Sequence, residues 1–211
     1  MSAWILWKTG LKLFVDQLKK SARKSRSKLV FSQSLIRDVW ISKNDVFLDN
    51  RGTFQEWFSI RSLPDSILFN PKQANVSTSK KGVIRGIHFS VAPTGQSKIV
   101  TCVSGAVRDV FVDLRSDSNT FLQWGYQDLT PESGTCIYLG KGIGHAFQAL
   151  EDSSTVAYLL DSEYRPEMEF GVTPFDEQLS ISWPIRDFEL SEKDNQAPTI
   201  DELMNLGKLP K

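Results

Sequence analysis

The chain has 211 residues, 40% hydrophobic, 24% charged and 11% aromatic, which suits one globular domain with a packed core and excludes a disordered tail or a coiled-coil rod. Twenty-five Lys plus Arg cancel twenty-five Asp plus Glu, so net charge gives no reason to expect nucleic acid or an acidic polymer as partner. The only two cysteines, Cys102 and Cys136, lie in the apolar runs IVTCVSG and GTCIYLG, where small buried thiols are expected rather than a disulfide framework; this fits a reducing, cytoplasmic compartment.

No run approaches the roughly 18 uninterrupted apolar residues of a membrane span, so no transmembrane segment is expected. The chain starts MSAWILWKTGLKLFVDQLKKSARKSRSKL, where a basic cluster follows the apolar part and no small-residue cleavage site closes it, the wrong order for a secretory signal. Trp4, Trp7, Leu11, Phe14 and Leu18 recur at three and four residue steps, with Lys and Arg between and after them. The spacing predicts a basic amphipathic helical extension over residues 1–33, either an anchor to anionic lipid or a partner, or a helix packed on the body of the protein, or a stretch ahead of a true start farther downstream.

From residue 34 to 211 the texture is that of an antiparallel β domain. KIVTCV, AVRDVFVDL, FLQWGYQDL, TCIYLG, HAFQAL and TVAYLLDSEY follow one another with glycine- and serine-rich breaks and no room for crossover helices. A sandwich or barrel is expected. In AVRDVFVDL, Val110, Val112 and Leu114 share one face and Asp109, Phe111 and Asp113 the other. Thr199 and Glu202 have capping-box spacing, which predicts a short helix at the end of the chain.

Both histidines, His88 in GVIRGIHFS and His145 in GKGIGHAFQ, fall inside strand-like segments beside glycines. Residue type alone leaves each as a hydrogen-bonded core group or as a catalyst. Lys98 shares a strand face with Val100 and Cys102, and Tyr158 with Val156 and Leu160, so both can project into one interior cavity; a snorkelling lysine and a rim tyrosine are the plainer alternatives. Phe89 and Ser90, not a second imidazole, follow His88, and the segment around His145 adds one nitrogen ligand, which is too few for the metal sites that paired histidines build in small barrels. No metal is expected.

The segments DNRGTFQEWF, QANVS, VIRGIHFS, GQSKIV, GAVRDVFVDLR, GIGHAF, AYLLDSEYRPEMEFGV, LSISWP and LSEKDNQAPTIDEL resemble, in that order, the dTDP-4-dehydrorhamnose 3,5-epimerase family of deoxysugar-nucleotide epimerases. The resemblance spans residues 34 to 207. It implies an all-β, cupin-like antiparallel jelly roll, a homodimer, no cofactor, and a dTDP-4-dehydro-6-deoxyhexose substrate whose C3, C5 or both are inverted. It also implies roles. His88 is the general base and Asp194 its paired carboxylate, Lys98 the cation near the ketone oxygen, and Tyr158 the acid on the opposite face of the sugar. Tyr164, six residues beyond Tyr158 and on the same face of a regular strand, matches the aromatic that stacks on the nucleotide. His145 matches a substrate contact, and Arg51, Glu56, Gln73, Asn75, Arg85, Glu169 and Lys193 surround the nucleotide-sugar. Taken alone, Arg51 reads as a turn residue of DNRG and Arg85 as a strand-edge charge. Ser90 stands where the family commonly has Gln, VAPTGQSK is longer than the usual loop, and Thr173 and Phe175 also depart from the pattern. These departures leave the number of inverted centres open. Two further readings are a non-catalytic nucleotide-sugar-binding module and a metal-dependent oxygenase on the same barrel.

Overall fold

A computed structural model of the chain describes residues 30–91 and 95–211. The amphipathic helix expected ahead of residue 30 lies outside the described residues. The strands in chain order are β1 (Val30–Gln33), β2 (Val39–Lys43), β3 (Phe47–Asp49), β4 (Gly52–Phe54), β5 (Gln73–Ser79), β6 (Ile84–Ser90) and β7 (Lys98–Ser104). They continue with β8 (Val107–Asp113), β9 (Trp124–Leu129), β10 (Thr135–Leu139), β11 (Ile143–Ala149), β12 (Ser154–Leu160) and β13 (Glu169–Gly171). Two short helices close the chain, α1 (Glu192–Asn195) and α2 (Ile200–Asn205). The capping box is present at α2, where Thr199 and Glu202 satisfy each other's backbone groups.

The strands form two antiparallel sheets, in the orders β1-β2-β10-β7-β12-β5 and β13-β6-β11-β8-β9, while β3 and β4 make a separate hairpin. This is the cupin-like jelly roll expected from the sequence. The first strand takes Val30–Gln33, the last four residues of the segment read as an extension. Period-two alternation sends Val100, Cys102 and Val156 inward from one sheet to meet Val107, Phe111 and Phe147 from the other, forming one inner core. The outward faces are covered as well. Ile99, Cys136 and Tyr138 pack under Ile67 and Phe69, and Ile87, Phe89, Val110 and Val112 pack under the C-terminal segment through Val172, Leu179, Ile200 and Leu203. Both cysteines are free and buried, as expected.

One end of the sandwich is closed by a charge cluster. Asp113 on the inner face of β8 accepts from Arg115 Nε at 2.8 Å and Nη2 at 2.9 Å, and from Ser118 and Thr120 hydroxyls at 2.6 Å. Arg115 also donates to Asp38 at 2.6 Å and to the Arg37 carbonyl at 2.9 Å, tying the loop before β2 to the end of β8. Burial alone would raise the Asp113 carboxyl, but these bonds outweigh it and hold it at about 2. Its folded-state value is depressed, so the stabilisation of about 2 kcal/mol is complete above about pH 4 and is lost as the pH falls toward 2. Replacing Asp113 with Asn removes the fully buried counter-charge of Arg115 and leaves it only the half-exposed Asp38, which should cost about 3 kcal/mol at neutral pH. Urea unfolding across pH should show that deficit narrowing below about pH 4, as the wild-type carboxyl itself takes up a proton.

Candidate active site

At the other end of the inner face the alternation places polar groups where the core would otherwise continue. The bend that allows this is in β6. Its pairing with β11 matches His88 to His145 and Arg85 to Phe147, with a register shift between them. Arg85 and His88, three residues apart, therefore share the inner face. Gly86 occupies the shift with φ +119°, and a Cβ there would lie 2.5 Å from the His145 carbonyl oxygen and 2.6 Å from the Ala146 Cβ.

His88 and Asp194, 106 positions apart, meet at 2.6 Å between Nε2 and Oδ1. Asp194 reaches β6 because Ser191 caps α1: the serine hydroxyl accepts the Asp194 amide at 3.1 Å and turns the side chain inward, where only 6% of it is exposed. The Gly86 amide donates to its other oxygen at 3.4 Å. Burial would raise the Asp194 carboxyl, but the bonds from His88, Gly86 and Ser191 hold it below the usual carboxylate range. An ionised carboxylate only accepts, so His88 Nε2 carries the proton and Nδ1 presents a lone pair. With 37% of its side chain exposed, this imidazole can be reached from the cleft.

The second histidine sits beside the first on β11, nearly buried, with Nε2 2.8 Å from Asp109 Oδ2. Burial lowers its pKa, Lys98 and His88 add to that, and Asp109 opposes it. From the facing sheet, Lys98 projects from the start of β7 and Tyr158 from β12, on the face shared with Val100, Val156 and Leu160. Burial lowers the Lys98 pKa against the charges of Glu169 and Asp109, and among the described residues no ion pair within 4 Å involves this lysine. Lys98 is thus within electrostatic reach of Glu169, Asp109 and His145.

The edge strands frame the opening. Asn75 pairs with Tyr158 and Gln73 with Leu160, and the Gln73 amide donates to Asn75 at 3.0 Å. Arg85 is exposed and donates to the Ser79 hydroxyl at 3.0 Å. Glu169 opposes Ser90 across β13 and β6; burial raises its carboxyl, while Lys98, His88 and Lys193 of α1 pull it down. A cavity of about 300 Å³, bounded by Lys72, Ser90, Asp161, Arg165 and Glu169, adjoins this opening at Glu169, and none of His88, Lys98 and Tyr158 lines it. Ser90, the departure from the common pattern, accepts the Gln96 amide at 2.6 Å and so fixes the return of the chain into β7.

Two expectations take a different form. Tyr164 does not share a strand face with Tyr158, because β12 stops at Leu160; its amide instead donates to Gln73 Oε1 at 3.0 Å, which holds an exposed ring at the edge of the opening. Arg51 lies in the β3–β4 hairpin with its guanidinium on Asp49 and 86% exposed, and Glu56 follows the hairpin on the surface. Neither is hydrogen-bonded or ion-paired to the cleft. Asp109 was not singled out by the sequence reading, although a charge between Val107 and Phe111 on the inward face of so apolar a strand was a visible signal.

The profile of the dTDP-4-dehydrorhamnose 3,5-epimerase family matches residues 33–202. A dTDP-4-dehydrorhamnose 3,5-epimerase from Streptomyces griseus is 43% identical over 178 residues, which are 83% of this chain and 88% of the relative. Among solved structures, NovW, a 4-keto-6-deoxy sugar epimerase from the novobiocin biosynthetic gene cluster of Streptomyces spheroides, superposes with a TM-score of 0.84 at 40% identity, covering 89% of this chain and 94% of that one. ChmJ, a 3'-monoepimerase from Streptomyces bikiniensis solved with dTDP-quinovose, gives a TM-score of 0.80 at 39% identity over 84% of this chain and 91% of that one. A jelly roll matched this far in both sequence and backbone belongs to the dTDP-4-dehydrorhamnose 3,5-epimerase family.

Proposed function

We propose that the cleft inverts C3, C5 or both in a dTDP-4-dehydro-6-deoxyhexose by removing a proton beside the ketone and returning one from the other face. The observation that carries this is the His88–Asp194 pair, a lone pair on Nδ1 backed by a buried carboxylate inside a cup that also holds an ammonium and a phenol. The C4 carbonyl acidifies the hydrogens on its neighbouring carbons. His88 Nδ1 takes one as a proton, the C–H electron pair moves into a C=C bond, and negative charge develops on the former ketone oxygen. Asp194 stabilises the imidazolium so formed, and Lys98 stabilises the enolate oxygen. Tyr158 then protonates the same carbon from the opposite face and the ketone is restored, with no net oxidation.

Arg85, Gln73, Asn75, Glu169 and Lys193 line the way in, with His145 inside against the sugar and Tyr164 at the edge for the base. Guanidinium and ammonium groups suit the diphosphate, and an aromatic ring suits a flat base. Arg51 and Glu56, which the resemblance assigns to the nucleotide, are exposed on and after the β3–β4 hairpin, a placement that suits service to a second copy in a homodimer. The exposed Phe47, Leu48 and Phe54 on the same hairpin give such a partner its apolar contact. No described helix is long and apolar enough to cross a membrane, and the two free, buried cysteines support a reducing, cytoplasmic setting for this activity.

Incubation with dTDP-4-dehydro-6-deoxyglucose in heavy water, followed by NMR, should show deuterium entering C3, C5 or both. A non-catalytic binding module would leave both carbons unlabelled. His88→Asn should lower that exchange by about 10²- to 10⁴-fold while dTDP affinity stays within a few-fold of wild type; undiminished exchange would remove His88 as the base. Tyr158→Phe should still exchange, because the first proton leaves normally, yet should lose inversion, so a native inversion rate counts against the tyrosine. Lys98→Met should reduce turnover by about 10²- to 10³-fold with the melting temperature close to wild type.

A further inference from the structure

Asp109 takes no part in the His88–Asp194 pair, yet it is fully buried on the inner face of β8. Its neighbours on that face, Val107 and Phe111, are core residues. One carboxylate oxygen, Oδ2, meets His145 Nε2 at 2.8 Å. The other, Oδ1, is buried with no hydrogen-bond partner among the described residues. A buried carboxylate oxygen without a donor is strongly unfavourable unless a nearby positive charge compensates it. The ionisable groups turned toward this part of the cup are Lys98 and Cys102 from β7, His88 and Arg85 from β6, His145 from β11, Tyr158 from β12, Glu169 from β13, and Lys193 and Asp194 from α1. Of the cations, Arg85 is exposed at the rim and committed to Ser79, and Lys193 is exposed on α1. Lys98 is the half-buried one, with no ion pair within 4 Å among the described residues.

We infer that Asp109 is a positioning residue of this site: Oδ2 fixes the orientation of the His145 imidazole, and Oδ1 balances the Lys98 ammonium so that the lysine stays charged inside the cup. The electrostatics agree in direction, since burial lowers the Lys98 pKa, and Glu169 first and Asp109 second oppose that fall. Glu169 lies at the opening, where bound substrate would meet it, so Asp109 is the counter-charge that persists behind the sugar. With Nε2 held by Asp109, His145 presents Nδ1 to the ligand.

This inference rests on the proposed role of Lys98 as the cation at the ketone oxygen. Its test reads that lysine directly. The full chain, labelled with [13Cε]lysine, is titrated by NMR as wild type and as Asp109→Asn, with the Lys98 resonance assigned by its absence in Lys98→Met. The Lys98 titration should move down by about one pH unit or more in Asp109→Asn, as expected for loss of an opposite charge at close range. The basic limb of turnover should move with it, and turnover at neutral pH should fall about tenfold or more with KM within a few-fold of wild type. A Lys98 titration unchanged in Asp109→Asn overturns the inference and leaves the proposed function standing. Wild-type turnover in Lys98→Met instead removes the proposed role of the lysine, and the inference with it. If Asp109→Asn does not fold, wild-type protein labelled with [13Cγ]aspartate serves: the Asp109 carboxyl resonance should inflect at the pH where Lys98 titrates and lose that inflection in Lys98→Met. Absence of the inflection in wild type overturns the inference.

Discussion

Charge inside a β sandwich is stable only where it is matched, and that constraint organises this protein from one end to the other. An isolated ion in the space between two apolar sheets would lose far more hydration than any single contact returns. Each buried carboxylate on or against the inner face accordingly has a nitrogen base against it: Asp113 with Arg115, Asp109 with His145, and Asp194 with His88. The three pairs differ in what the nitrogen can do. Arg115 never releases its proton and makes a fixed clasp, whereas the imidazoles keep one nitrogen free while the other is anchored.

The same difference divides the molecule into a rigid end and a reactive end. Around Asp113 every strong donor is used and the loops before β2 and after β8 are locked together. Around His88 the bonding is left incomplete on the side facing the cleft, and Lys98 is held in the electrostatic field of Asp109 and Glu169 without an ion pair among the described residues. A site assembled this way is prepared for a ligand that carries an electron-rich oxygen, because the positive charge needs no reorganisation to meet it.

Much of this was legible in the sequence. The inward sets on β7, β8 and β12 follow from alternation alone, and the C-terminal helix from its capping box. Pairing of His88 with Asp194 came from family resemblance, since no spacing argument joins residues 106 positions apart. What alternation could not give was the place of Arg85: a period of two puts it on the face opposite His88, and the register shift at Gly86 returns it to the inside. Tyr164 escaped for the complementary reason, because a strand face was extended past Leu160, where the strand ends. Arg51 and Glu56 lie exposed on and after the β3–β4 hairpin, where one copy of the chain gives no sign of the role the resemblance implies, and Asp109 reads from alternation only as an inward charge, since its partner His145 lies on another strand.

His88 and Asp194, the proposed base and its carboxylate, arrive from distant parts of the chain. His88 belongs to an inner strand of its sheet, while Asp194 belongs to the tail that packs over the outside of that sheet. Both sheets can therefore form before the last twenty or so residues dock, and the His88–Asp194 contact exists only once they have. If that pair is the base as proposed, the order of synthesis becomes an order of activation.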